Sequence, residues 1–184
     1  MTLNYQESEP IILGSGELYL GKVENPETAD ETTIETALKN VGAIESGATL
    51  SYKPTIQNVK AANRGHIMSF VTDEEVTFDC GILTWKLDNL ANLAPATVEE
   101  DKVKGTKKIK IGRKGMIPVN YLRFVHKKKD GTGDIIVNIY KAQAVNGFQF
   151  AFSEKPTVVN YEFTALSDKN GNLVEIIETF PTEG

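Results

Sequence analysis

The side chains able to do chemistry are few, and their spacing does not organise them for it. Asp73, Glu74, Glu75 and Asp79 place four carboxylates close together. An acid/base pair needs one carboxyl group in an apolar setting and the other in a polar one. Alternation instead puts Glu75, Thr77 and Asp79 on one strand face, opposite Val76, Phe78, Cys80 and Ile82, so a solvated turn and strand face is expected. Cys80 is the sole cysteine. It can form neither an internal disulfide nor a multi-cysteine metal site, and its apolar neighbours predict a buried packing thiol rather than a nucleophile. His66 follows Gly65 and His126 precedes Lys127-Lys128-Lys129; neither has a partner set by spacing. Gly14-Ser15-Gly16 resembles a phosphate-cradling loop only in its glycines, because the Lys-Ser/Thr ending is missing and a strand pattern follows. No catalytic, cofactor-binding or metal-ligating residue is assigned, and the expectation is a protein that is not an enzyme and needs no cofactor.

Charge is unevenly distributed. Lys102 to Lys129 holds eleven Lys/Arg and no acid, whereas the whole chain carries −5, so the remainder carries −16. Three readings stay open: a nucleic-acid patch, solvated strand faces in which Lys108 and Lys110 alternate with Ile109 and Ile111, or a strip that meets a neighbour's acidic surface. A pI near 5.2 is poor support for a dedicated DNA binder, since phosphate neutralisation is the main source of such affinity. The third reading makes Lys107 and Lys108 candidate interface residues.

The elements that must position these groups are strands. The chain has 184 residues, 40% hydrophobic and 24% charged, which suits one globular domain with a sizeable core. No uninterrupted apolar run exceeds three residues, far short of the roughly 20 that span a bilayer. The opening Met1–Glu7 has neither a basic nor an apolar region of the kind a secretory signal carries, and no membrane anchor is expected. Val76–Ile82, Ile135–Tyr140, Phe148–Phe152 and Val159–Ala165 alternate with period two, and Glu17–Lys22, Val41–Lys53, Lys107–Gly112, Ile117–Lys127 and Leu173–Glu178 are shorter candidates. Lys129-Asp130-Gly131, Asn146-Gly147 and Lys169-Asn170-Gly171-Asn172 are turn signals, the second predicting a hairpin into the phenylalanine strand. Leu87, Leu90, Ala91 and Ala94 have helical spacing and Pro95 follows, which predicts one short helix near Lys86–Ala94, with Trp85 anchoring it to the sheet.

The fold class expected is therefore mainly β, a two-sheet β-sandwich or barrel with one short flanking α-helix, extended loops and more than about 35% strand. The single domain spans 1–184, with an N-terminal arm at 1–13, a long inter-strand loop at 54–65 and a tail at 178–184. Glu24–Lys39 reads as an acidic loop or a short surface helix. Pro54–Gly65 is too long for a tight turn. Its few apolar residues, Ile56, Val59, Ala61 and Ala62, are too few to order it alone, so it is expected to bury them against a neighbour.

One constellation goes further. Glu45-Ser46-Gly47-Ala48-Thr49-Leu50-Ser51-Tyr52-Lys53-Pro54, the polar stretch to Gly65, the strand Glu74–Thr84 and then Asp88-Asn89-Leu90-Ala91-Asn92-Leu93 resemble the major tail, or tail tube, proteins of tailed bacteriophages. Leu13–Gly21 is similar to the first strand of such proteins. The resemblance covers roughly residues 11 to 94, and more weakly the hairpins to Ile177; Glu24–Lys39 and the basic strip have no counterpart in it. It implies a fold shared with the tubes of contractile injection systems. It further implies a virion protein assembled in the bacterial host cytoplasm, whose subunits close into hexameric rings that stack into a tube through which DNA passes without specific binding. The implied partners are further copies of the chain, a tape-measure protein, and tail-tip or baseplate proteins. Ile56, Asn58, Val59, Arg64, Lys107 and Lys108 are the subunit-interface candidates. The alternative reading is a small all-β binding module for carbohydrate or protein; the absence of aromatics from 54–65 counts against it.

Overall fold

Strands whose apolar residues recur every second position have an inside and an outside, and these strands build the core. In the computed structural model, which describes residues 15–112, 115–129, 131 and 133–181, the element order is β1 (Glu17–Gly21), α1 (Glu31–Ala37), β2 (Lys39–Asn40), β3 (Ile44–Ala61), β4 (Gly65–Ile82), α2 (Leu87–Leu90), β5 (Ala96–Asp101), β6 (Thr106–Ile111), β7 (Val119–Lys127), β8 (Asp134–Ala144), β9 (Val159–Ala165) and β10 (Glu175–Glu178). Strand makes up 53% and helix 7% of the described residues, so the mainly-β expectation is met. The arm expected at 1–13 lies outside the described residues, as do positions 182–184 of the tail. Among the described residues no helix is long and apolar enough to cross a membrane.

The main sheet is antiparallel and runs β2-β1-β7-β8-β9-β4-β3, with β10 pairing β8; β5 and β6 form a separate two-stranded sheet. The two ends of the main sheet, β2 and β3, are separated by only Val41, Gly42 and Ala43, so the sheet must curl until its ends meet. Hydrogen bonds stitch that crossing on both sides. Val41 N–H donates to Leu18 O at 3.0 Å, Leu83 N–H to Ala43 O at 2.9 Å, and Ala43 N–H to Thr84 Oγ1 at 2.8 Å. Curling also brings Phe78 of β4 against Phe124 of β7, ring centroids 5.5 Å apart, although two strands lie between them in the sheet. Leu18, Leu20, Val76, Phe78, Cys80, Ile82, Leu122, Ile139, Tyr161 and Phe163 fill the interior.

The inward faces of β4 and β9 are those the alternation predicts. On β8 the parity changes part-way: Val137 and Ile139 are buried, then Ala142 and Ala144. A bulge explains it, since Asn120 opposes Ala142 while Leu122 opposes Ile139, leaving one extra residue on β8. The expected helix at 86–94 shortens to Leu87–Leu90 followed by a tighter turn in which Ala91, Asn92 and Leu93 N–H groups reach back three residues. Leu90 and Leu93 plug the end of the sheet, and Asn89 Nδ2 donates to Val41 O at 2.7 Å. A second helix, α1, resolves the two readings of 24–39 in favour of a surface helix; Asp30 caps it by accepting from Thr33 N–H at 2.7 Å.

Three expectations are corrected. Pro54–Gly65 is no loop. β3 continues to Ala61, turns at Ala62–Arg64, and returns directly as β4. Phe148–Phe152 forms no strand and so no hairpin with β8. Phe148 and Phe150 pack against the core margin, while Phe152 is 91% exposed. Trp85 does not anchor a helix: it is exposed and stacks edge-on against Phe150 at 4.9 Å.

Polar clamps hold the periphery. Arg123 of β7 donates from Nε to Asn138 Oδ1 at 2.9 Å and pairs with Glu31 of α1 through two nitrogens, while Asn138 Nδ2 donates to Glu175 of β10 at 3.0 Å. Asp168 accepts from Asn170 N–H at 2.8 Å, Asn172 N–H at 2.7 Å and Asn172 Nδ2 at 3.0 Å, which organises the expected turn at 169–172. The Arg123 hydrogen bond holds the Glu31 carboxyl below its usual range. At Asp168 burial works to raise the pKa, but the donors of Asn172 and Asn170 outweigh it and lower the value overall.

Gly42 carries φ +120°, and a Cβ there would lie 2.3 Å from Thr84 Cβ. Gly42→Ala should therefore cost about 2 kcal/mol, read as a lower urea midpoint; an unchanged midpoint would show that the crossing does not hold the sheet closed. Carboxylates with depressed folded pKa values contribute stability above the unfolded value, near 4, and lose it as pH falls through the lower folded values. The urea midpoint should accordingly hold from pH 7 to about 5 and fall below about 4, with a shallower fall in Glu31→Gln; an identical acid profile in that variant would remove Glu31 from the account.

Candidate assembly surface

Strand length creates the surface. β3 and β4 each run 18 residues, whereas β9, the second neighbour of β4, has seven and pairs only with Thr77–Ile82. Beyond that contact no third strand accompanies the hairpin: Val71–Glu74 still flank an open hollow shared with Ala165–Ser167, Gly171 and Leu173, and past them it runs on as a two-stranded arm. From Tyr52 to Glu75 every residue except Ala61 is exposed. Pro54 is tolerated because β3 pairs only with β4 and needs no donor on its outer side.

The arm is apolar on both faces. Opposed residues share a face, so the register Ile56↔Val71, Gln57↔Phe70, Asn58↔Ser69 and Val59↔Met68 places Ile56 and Val71 on one side and Val59, Met68 and Phe70 on the other. Ile56, Ile67, Met68, Phe70 and Val71 are each 45% or more exposed. Ser69 donates to Asn58 Oδ1 at 2.7 Å and lies 2.9 Å from His66 Nε2, a short polar strip along the arm. Arg64 stands in the turn at the tip. An isolated two-stranded ribbon is marginal in water, and its free edges invite pairing with another chain. The arm's exposed apolar side chains are already about half covered, so burying the rest of each supplies about 1 kcal/mol at five positions. An exposed ion pair gives about 1 kcal/mol or less, and the outer part of the arm offers only Lys60 and Arg64. Apolar contact therefore dominates whatever affinity this surface has.

No protein-family model matches this chain, and no curated protein does.

Of the six interface candidates, Ile56, Asn58, Val59 and Arg64 lie together on the arm, and Lys107 and Lys108 lie apart from them on β6. Lys107 is engaged within the chain, 2.5 Å from Asp88 and 3.6 Å from Glu100, and the Asp88 hydrogen bond raises its pKa. Lys108 faces Glu99 in register. The basic run is not a single patch. Lys104, Lys107, Lys110, Arg123 and Lys128 all pair with carboxylates of this chain, on two separate elements and the turns beside them, and Arg113 and Lys114 lie outside the described residues. Ile67, Met68, Phe70 and Val71 were missed by the sequence reading; the dense apolar stretch Ile67–Val71 was the available signal.

Among the described residues no group of three or more His, Cys, Asp and Glu side chains could hold a metal ion. His126 is buried, its Nδ1 2.8 Å from Ser15 O, and His66 is on the exposed arm. Cys80 lies in the core, and burial, reinforced by the charge of Asp79, pushes its thiol up to about 12. It should resist a thiol reagent such as DTNB in the native protein at pH 8 and react fully in denaturant; rapid native labelling would mean that the β3–β4–β9 region opens readily.

Proposed function

We propose that this chain is a structural subunit that assembles with copies of itself into a tube of the tailed-bacteriophage type, a virion component through whose bore DNA passes. Six subunits close a ring, rings stack, and tape-measure and tail-tip or baseplate proteins meet the ends. The observation that carries this reading is the arm from Tyr52 to Glu75, apolar on both faces, with neither outer edge paired beyond Thr77. A ring supplies what the arm lacks, because neighbouring subunits cover apolar faces and pair free edges. The net charge of −5 and the neutralisation of much of the basic run within the chain favour a wall that lets phosphates pass without gripping them.

A second reading has one observation in its favour. Trp85, Phe150 and Phe152 form an aromatic series, centroids 4.9 and 6.4 Å apart, with Trp85 and Phe152 exposed, and such a series can stack on sugar rings. Trp85 is the sole tryptophan, so its fluorescence reports that alternative directly.

Electron microscopy of concentrated protein should show rings or hollow tubes. Because Lys53 opposes Glu75 next to the Pro54 pair, residues 54–74 can be replaced by an Asn-Gly turn. That variant should remain monomeric, with a urea midpoint close to that of the parent. Dispersed monomers of the parent at every concentration, together with a glycan-induced shift in Trp85 emission, would replace the tube reading with the binding-module one.

A further inference from the structure

The two ends of the β3–β4 hairpin are chemically unlike each other. At the far end, Lys60 and Arg64 are the only formal charges from Pro54 to Thr72, so the outer part of the arm is cationic as well as apolar, while Lys53, Asp73, Glu74 and Glu75 stand at its base. At the near end, a shallow trough of about 520 Å³ runs beside Gly47 and Gly81 and is lined by Glu45, Asp79 and Glu162. It continues into a hollow of about 770 Å³ that shares Asn160 and Glu162 and is walled by Phe148, Ala151 and Val158. No Lys or Arg lines either part, and none of the three carboxylates forms an ion pair among the described residues. Glu162 only accepts from the neutral Asn146 amide. Asp79 and Glu162 are cross-strand neighbours on the outer face, where like charges repel each other, so a cation arriving from outside relieves an existing repulsion.

Tip and trough cannot meet within one molecule. Gly47 and Ala61 lie fourteen residues apart on the same strand, a separation of about 45 Å at the strand rise of about 3.3 Å per residue. Complementary patches at opposite ends of one hairpin produce a head-to-tail contact that repeats from copy to copy without using itself up. We propose that the cationic, apolar tip of one subunit's arm seats in the trough at the base of the same hairpin in a second copy. Lys60 and Arg64 then face Glu45, Asp79 and Glu162, and the arm's apolar residues lie against Phe148 and Val158. The proposal rests on the self-assembly reading and assigns its head-to-tail joint; the apolar contact gives the joint strength, and the charges select the partner and register.

Two charge-swapped variants test it, Lys60→Glu/Arg64→Glu at the tip and Glu45→Lys/Asp79→Lys in the trough. All four residues are exposed, and the urea midpoint of each variant establishes that it is folded. Each alone should fail to assemble at protein concentrations tenfold above those at which the parent forms tubes, by sedimentation and electron microscopy. Mixed in equal amounts they should assemble, because each tip then finds an oppositely charged trough, and raising the salt should weaken the mixed assembly. If the arm-shortened variant stays monomeric while both swapped variants assemble as the parent does, the trough is not the partner of the tip and the inference falls, though the tube reading stands. If the swapped variants fail alone and also fail when mixed, the tip and trough do not meet. If the parent itself never assembles, both readings fall together.

Discussion

The mismatch between two long strands and their short neighbour is the constraint on which the rest of this structure turns. A backbone N–H or C=O without a protein partner must face water. β9 satisfies β4 from Thr77 to Ile82; past that limit only β3 and solvent are available. Length alone thus converts the middle of a core sheet into an arm. The core portion is buried because Val76, Phe78, Cys80 and Ile82 share one inward face. The arm has no interior to face, so its apolar side chains stand on both sides.

The body of the protein must be stiff at the base of that arm, and the crossing at Val41–Ala43 provides the stiffness. Those residues bond to β1 on one side and to the chain just after β4 on the other, locking the first and last strands of the path together. Asn89 adds a third tie through Val41 O. The Arg123–Asn138–Glu31–Glu175 cluster does the equivalent work on the outer face of β7 and β8, where burial of polar groups is tolerated because each finds a partner.

Legibility from sequence followed burial. β1, β4 and β9 each have one wet and one dry face, so period-two alternation marked them, and Cys80 could be placed in the core. The arm reads as a loop for the converse reason: with both faces wet, apolar and polar residues are mixed on each, Ile56 beside Asn58 on one and Gln57 beside Val59 on the other, and the period disappears. Phe148–Phe152 erred the other way. It has a core-like period but pairs with no strand, and its rings stack on one another and on Trp85. The parity change in β8 depends on a bulge, which alternation cannot reveal. The trough was invisible because it joins Glu45, Asp79 and Glu162, which only strand register brings together.

An arm with two apolar faces and free edges invites stray pairing, and residues of the arm itself oppose it. Register shifts at Thr55/Ile56 and Val59/Lys60 break the flat, regular edge that a stray strand would need for pairing. Pro54 removes a donor from the outer edge of β3, and Lys60 and Arg64 make unpaired copies repel tip to tip. These features oppose edge-to-edge stacking of two arms, yet leave open an approach by the tip alone to a surface of opposite charge. In the self-assembly proposed above, association by the wrong geometry would thereby be slowed more than association by the tip-to-trough one.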